Sequence, residues 1–173
     1  MIYFIRHGET DYNKLRIFQG HLDIPLNEVG IKQAENARDE LAGFVFDEIY
    51  SSPLSRAKKT AEIINEKQGA EIIYDDRLKE IYGGEMQGKC VNDLSEDSIR
   101  DFHENPEKYN AESTIALCAR VEKFFKEIED SDKNILIVAH GGVYRAVYRY
   151  LNGIKEYHFE MEGIKNATAV FLK

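Results

Sequence analysis

Apolar residues fall in short blocks along the chain, separated by polar stretches that carry glycine. Ile2 to Ile5 is one such block, short enough for a buried strand, and it stops at a polar loop, Arg6 to Asn13, ahead of any helix. From Asn27, a good helix N-cap, Ile31, Ala34, Arg38 and Leu41 recur at helical spacing until Gly43. Glu48 to Ser51 reads as a second strand, and the stretch from Ser55, with Ala57, Ala61 and Ile64 on one side, as a helix closed by Gly69. Ile72 to Tyr74 is a third strand. Cys90 to Asn110 is polar, weakly periodic and broken at Pro106; it reads as a short helical cover. Ser113 to Asp130 is amphipathic, with Leu117, Val121, Phe124, Phe125 and Ile128 on one face. Ile135 to Ala139 is the most apolar strand and runs into His140-Gly141-Gly142 and a helix through Leu151. Ala167 to Leu172 closes the chain.

Strands alternating with helices predict an α/β three-layer sandwich, a mostly parallel central sheet with helices on both faces. No linker or repeat divides the pattern, so residues 1–173 are expected to form a single domain, with residues 89–111 as a lid-like segment. At 173 residues a chain can bury a core without metals or disulfides. Its 43% hydrophobic and 31% charged residues fit a globular protein. No apolar run is long enough to cross a bilayer, and Met1-Ile-Tyr-Phe-Ile lacks the basic start of a secretory signal. The expectation is a cytoplasmic protein with no membrane partner. Cys90 and Cys118 have no metal-ligand spacing and read as reduced thiols.

The formal net charge of −8 argues against nucleic acid as a partner, because backbone binding needs a basic face. It also means that an anionic substrate needs positive charge concentrated locally. Two histidines occupy the place for it. In a parallel sheet, ligands bind beyond the carboxyl ends of the strands, where His7 and His140 both sit. Each precedes a glycine, which lets backbone approach a ligand, and Gly141 and Gly142 open a helix whose free N–H groups favour an anion. Arg6 adds a fixed charge beside His7. Arg56 lies in a helix's first turn, against the dipole preference, a cost that a bound anion would offset. Read singly, either histidine also fits a structural role, and Arg56 also fits an exposed helix position.

Taken in order, Arg6-His7-Gly8-Glu9-Thr10, Asn13, Gln19-Gly20, Pro25-Leu26-Asn27, Ser52-Pro53-Leu54-Ser55-Arg56-Ala57, Leu78-Lys79-Glu80-Ile81, Glu112-Ser113, Arg120-Val121 and Val138-Ala139-His140-Gly141-Gly142 span nearly the whole sequence. This set resembles the histidine phosphatase superfamily, the phosphoglycerate-mutase-like group. The resemblance implies that His7 is a nucleophile that becomes phosphorylated, and that Arg6, Asn13, Arg56 and His140, with Gly141 at the helix start, hold the phosphoryl group. It implies Glu80 as proton donor and a phosphate ester as substrate, with no metal or other cofactor. Elementary chemistry agrees: phosphoryl transfer needs positioning and neutralisation of three equatorial oxygens.

Thr10, Gln19, Gly20 and His21 are further candidates for touching substrate. His103 and His158 lack a companion motif and read as surface or packing residues, and Glu127, Glu129, Asp130 and Asp132 as a solvated acidic helix end. Within the resembled family, the short, weakly basic connection between Glu80 and Glu112, and Ile81 where mutases carry an arginine, favour a compact phosphatase. Such phosphatases include those acting on alpha-ribazole phosphate; sugar or glycolytic phosphates are equally open substrates. Gln87-Gly88 echoes the mutase loop, so a cofactor-dependent phosphoglycerate mutase is the alternative. A non-catalytic phosphate-binding module is a second alternative, which the joint presence of His7, Glu80 and His140 opposes. Monomer and homodimer are both compatible with the sequence.

Overall fold

The computed structural model describes residues 1–157 and 161–173. A five-stranded sheet runs through its centre in the order β3-β2-β4-β1-β5, with β1 Ile2–Arg6, β2 Glu48–Ser51, β3 Glu71–Tyr74, β4 Ile135–Ala139 and β5 Ala169–Phe171. The first four strands are parallel, and β5 pairs antiparallel with β1. β4 sits at the centre with all five residues buried, which is why it is the most apolar strand. The last strand is shorter than its sequence pattern, and His158 lies outside the described residues.

Side chains alternate across the sheet into two cores. Ile5, Ile49, Leu136 and Val138 pack beneath α2 (Glu28–Glu40) and α3 (Ser55–Asn65). Ile2, Phe4, Ile135 and Ile137 pack beneath α5 (Thr114–Ile128) and α6 (Gly141–Leu151). Each fully buried aliphatic or aromatic side chain contributes about 1.5–3 kcal/mol. The expected three-layer α/β sandwich is therefore observed. Among the described residues, no helix is long and apolar enough to cross a membrane.

Three local expectations change. The polar loop after β1 contains a single helical turn, α1 (Asp11–Lys14), capped by the Thr10 side chain. Ile31 does not face the core: it is 38% exposed, and Ala34, Ala37 and Leu41 form the buried stripe instead. The acidic end of α5 is not simply solvated, because Arg77 binds Glu127 through two nitrogens (2.7 and 2.8 Å) and the Tyr150 hydroxyl donates to Glu129 (2.8 Å). In the Cys90–Asn110 cover, Ser95 caps α4 (Glu96–Glu104) and a 3₁₀ turn follows at Pro106–Tyr109. Its anchor is Phe102, which is buried edge-on against Phe18 with ring centroids 5.4 Å apart.

The topology places the site. β1 and β4 are adjacent and in register, Arg6 opposite Ala139, yet the chain leaves β1 toward the α2 side and β4 toward the α6 side. Such a reversal opens a crevice at the carboxyl ends of the two strands. His7 and His140 are the next residues on either side of it.

Candidate active site

His7 and His140 are 2% and 0% exposed, with ring centroids 5.1 Å apart. The His7 backbone is fixed from two sides: its N–H donates to Ala139 O (2.9 Å), and Asn166 Nδ2 donates to its carbonyl (2.8 Å). His7 Nδ1–H donates to the Gly8 carbonyl at 2.7 Å, which leaves the Nε2 lone pair free. Burial, and then the charges of Arg56 and Arg6, hold the His7 pKa well below the ordinary histidine value. Burial and Arg56 do the same to His140, so both rings are neutral at pH 7.

Gly8 does not serve ligand approach as its position suggested. A Cβ there would lie 2.3 Å from the carbonyl oxygen of Gly30, and one on Gly30 would lie 2.0 Å from Glu9 O. The two glycines let the loop after β1 press backbone to backbone on the first turn of α2. Gly8 N–H donates to Thr60 Oγ1 (3.1 Å) and Glu9 N–H to Gln33 Oε1 (2.8 Å), tying the same loop to both helices on this face.

Arg56 is 1% exposed. Its two terminal nitrogens donate to Leu22 O and Gly20 O, both at 2.8 Å, so the fork holds the Gly20–Leu22 loop rather than standing free. Burial lowers its pKa to about 10, opposed by the nearby Glu80 carboxylate. Arg6 donates to Ile164 O (2.9 Å), and burial lowers its pKa too. Arg6 Nε, Arg56 Nε and His140 Nδ1 are buried without any hydrogen-bond partner among the described residues. An unsatisfied buried donor costs about 1–3 kcal/mol, and more when charged, so the two guanidinium nitrogens suit an anionic acceptor. Ser52 Oγ lies 2.8 Å from His140 Nε2 and already accepts from Leu54 N–H. If its hydroxyl donates to Nε2, His140 Nδ1 carries the hydrogen and becomes the third free donor.

Arg6, His7, Asn13, Gln19, Gly20, Arg56, Glu80 and Gly142 line one cavity of about 420 Å³. Asn13 Oδ1 accepts from Thr10 N–H (3.1 Å). Glu80 Oε2 accepts from Gly142 N–H (3.2 Å) and Oε1 from Ile81 N–H (2.9 Å), so the carboxylate sits on the N-terminus of α6. A Cβ on Gly142 would come within 2.2 Å of Glu80 Oε1, which excludes any other residue there without moving the acid. Gly141 opens the same helix, behind Arg6.

Two of the further candidates stand back from the cavity. Thr10 is fully buried; its hydroxyl accepts from Asn13 N–H and lies 2.9 Å from Gln19 Oε1. His21 Nε2–H donates to the Glu80 carbonyl at 2.7 Å. Arg120, to which the sequence attached no role, is the main support of the Glu80 loop. It donates to the carbonyls of Arg77, Lys79 and Glu80 (2.6, 2.7 and 3.0 Å) and grips both oxygens of Glu112. Only its place in the resembled pattern hinted at this. Among the described residues, no three His, Cys, Asp or Glu side chains converge as a metal set.

Known proteins share this architecture. A phosphoserine phosphatase of Hydrogenobacter thermophilus is 36% identical over 172 residues, 95% of this chain and 82% of its own. A phosphoglycerate mutase of Schizosaccharomyces pombe is 33% identical over 170 residues, 89% of this chain and 80% of its own. The structure of a mycobacterial glucosyl-3-phosphoglycerate phosphatase with VO3 superposes with a TM-score of 0.81 at 28% identity, covering 97% of this chain and 88% of that one. A family model for the histidine phosphatase superfamily (branch 1) matches residues 2–173. By fold, by the paired histidines at the strand ends and by these matches, the chain belongs to the histidine phosphatase superfamily, branch 1, as one of its phosphomonoesterases.

Proposed function

We propose that the chain hydrolyses small-molecule phosphate monoesters through a covalent phosphohistidine on His7, residues 1–173 acting as one domain with residues 89–111 as its cover. The carrying observation is the free Nε2 of a neutral His7 in a site where Arg6 Nε, Arg56 Nε and His140 Nδ1 are buried with no hydrogen-bond partner among the described residues. The Nε2 lone pair attacks phosphorus and the P–O bond to the alcohol breaks. Glu80 delivers the proton to the leaving oxygen. Arg6, Arg56, His140 and Asn13 hold the three equatorial oxygens and neutralise their charge. Water then attacks the phosphohistidine, Glu80 takes its proton, the P–N electron pair returns to Nε2 and inorganic phosphate leaves. Every step is met by side chains of this chain, so no cofactor is required by the proposal.

Transfer to water is favoured over transfer to a second hydroxyl by Ile81, which puts an apolar side chain next to the acid. The mutase alternative rests on the likeness to the fission-yeast enzyme. Stereochemistry at phosphorus tests the two-step course. A phosphorothioate ester made chiral with two oxygen isotopes is hydrolysed in water carrying the third; two in-line displacements give chiral thiophosphate with retention, and inversion would overturn the proposal. A parallel assay of phosphoglycerate interconversion with a bisphosphate primer should give a rate far below that of hydrolysis.

A further inference from the structure

Beside the phosphate cavity lies a second hollow of about 630 Å³, and Phe18, Ile81, His103 and Gly142 line both. The remaining wall is mainly apolar: Phe102 of α4, Leu117 and Cys118 of α5, Ala146 of α6, and Tyr157. Phe102 is held edge-on between Phe18 (5.4 Å) and Tyr109 (5.6 Å), so the cover presents a fixed wall. The Glu80 carboxylate rests on the N–H groups of Ile81 and Gly142, residues that belong to both spaces. A group that protonates the leaving oxygen marks the direction in which the organic half of the ester lies. Here that direction leads from His7, past Glu80, into the apolar hollow.

Resting on the phosphatase reading above, we infer that this hollow receives the alcohol part of the substrate, and that the preferred esters carry a bulky apolar or aromatic alcohol. Size supports this: the volume suits a ligand of drug-like dimensions, and a serine or glycerate would leave most of the apolar wall against water. Charge supports it too. Among the described residues lining the two spaces, Glu80 is the only carboxylate, so the ammonium of a phosphorylated amino acid would compete for the proton donor itself.

The test uses ethyl phosphate and 2-(2-naphthyl)ethyl phosphate, whose leaving alcohols are close in basicity, and phosphoserine, whose more acidic hydroxyl makes it chemically the better leaving group. One buried methylene alone is worth about fourfold, so the naphthylethyl ester should exceed ethyl phosphate in kcat/KM at least about tenfold. Phosphoserine should be no better than ethyl phosphate. Ala146→Leu, which fills the hollow, should lower the naphthylethyl-to-ethyl ratio at least about fivefold. Thr114→Trp, at a partly exposed wall position, replaces it if that variant does not fold. A phosphoserine preference, or a ratio untouched by filling the hollow, would overturn the inference while leaving the phosphohistidine reading intact. Absence of turnover on all three esters, together with no phosphoryl label on His7, would overturn both.

Discussion

His7 and His140 enter the folded state without their protons, because burial and the flanking guanidinium groups depress both pKa values well below the ordinary 6.5. The unfolded chain takes up protons on these rings as pH falls through about 6.5, and the folded chain does not. Their linkage therefore costs no stability above that pH and removes it below, by at most about 1.4 kcal/mol per pH unit for each ring. Urea unfolding at pH 7 and pH 5 should show this loss, and His140→Asn should make it smaller. An equal loss in that variant would contradict the neutral, desolvated state of the ring. Glu80 belongs to the same scale. As a proton donor it should matter most for basic leaving groups, so Glu80→Gln is expected to lose about 10²–10⁴ in kcat/KM on alkyl phosphates and far less on aryl phosphates. Equal losses on the two classes would remove it from that role.

Among elements, the loop from Arg77 to Tyr82 has little regular structure, and other segments fix its position. Arg120 of α5 takes three of its carbonyls, His21 takes the Glu80 carbonyl from the opposite side, and Glu112 exchanges backbone and side-chain hydrogen bonds with Tyr82. Arg120→Met would leave Glu112, largely buried, without its cation, at a cost of about 2–3 kcal/mol when scaled down from fully buried pairs. The kinetic consequence separates positioning from mere stability. In the folded variant, turnover of alkyl phosphates should fall about 10–100-fold more than that of aryl phosphates, because the acid drifts while the phosphate pocket stays. A uniform fall would assign Arg120 a structural part only.

For the whole molecule, the sheet was legible because β1 and β4 carry uninterrupted apolar runs that end in a histidine, and parallel pairing in register makes those histidines neighbours. Arg6, Arg56 and Glu80 could be located from their motifs, and they meet in one cavity. What stayed hidden has a common physical form: side chains that bind distant backbone. Ser52 beneath His140, Arg120 beneath Glu80 and the Gly8–Gly30 contact leave no periodicity and no charge pattern to read. For the same reason Thr10 and His21 looked like substrate residues, although the Thr10 hydroxyl accepts from Asn13 N–H and His21 Nε2–H donates to the Glu80 carbonyl. The chain's −8 charge makes the buried cationic pocket more telling, since nothing in the overall balance supplies it. The central claim is that this pocket loads a phosphoryl group onto one nitrogen. Rapid acid-avoiding quench of the enzyme with a ³²P-labelled monoester, followed by peptide mapping, tests it most directly. The account predicts acid-labile, base-stable label on the peptide carrying His7, formed faster than turnover and absent in His7→Ala; turnover by wild type with no such label, or label surviving in His7→Ala, would contradict it.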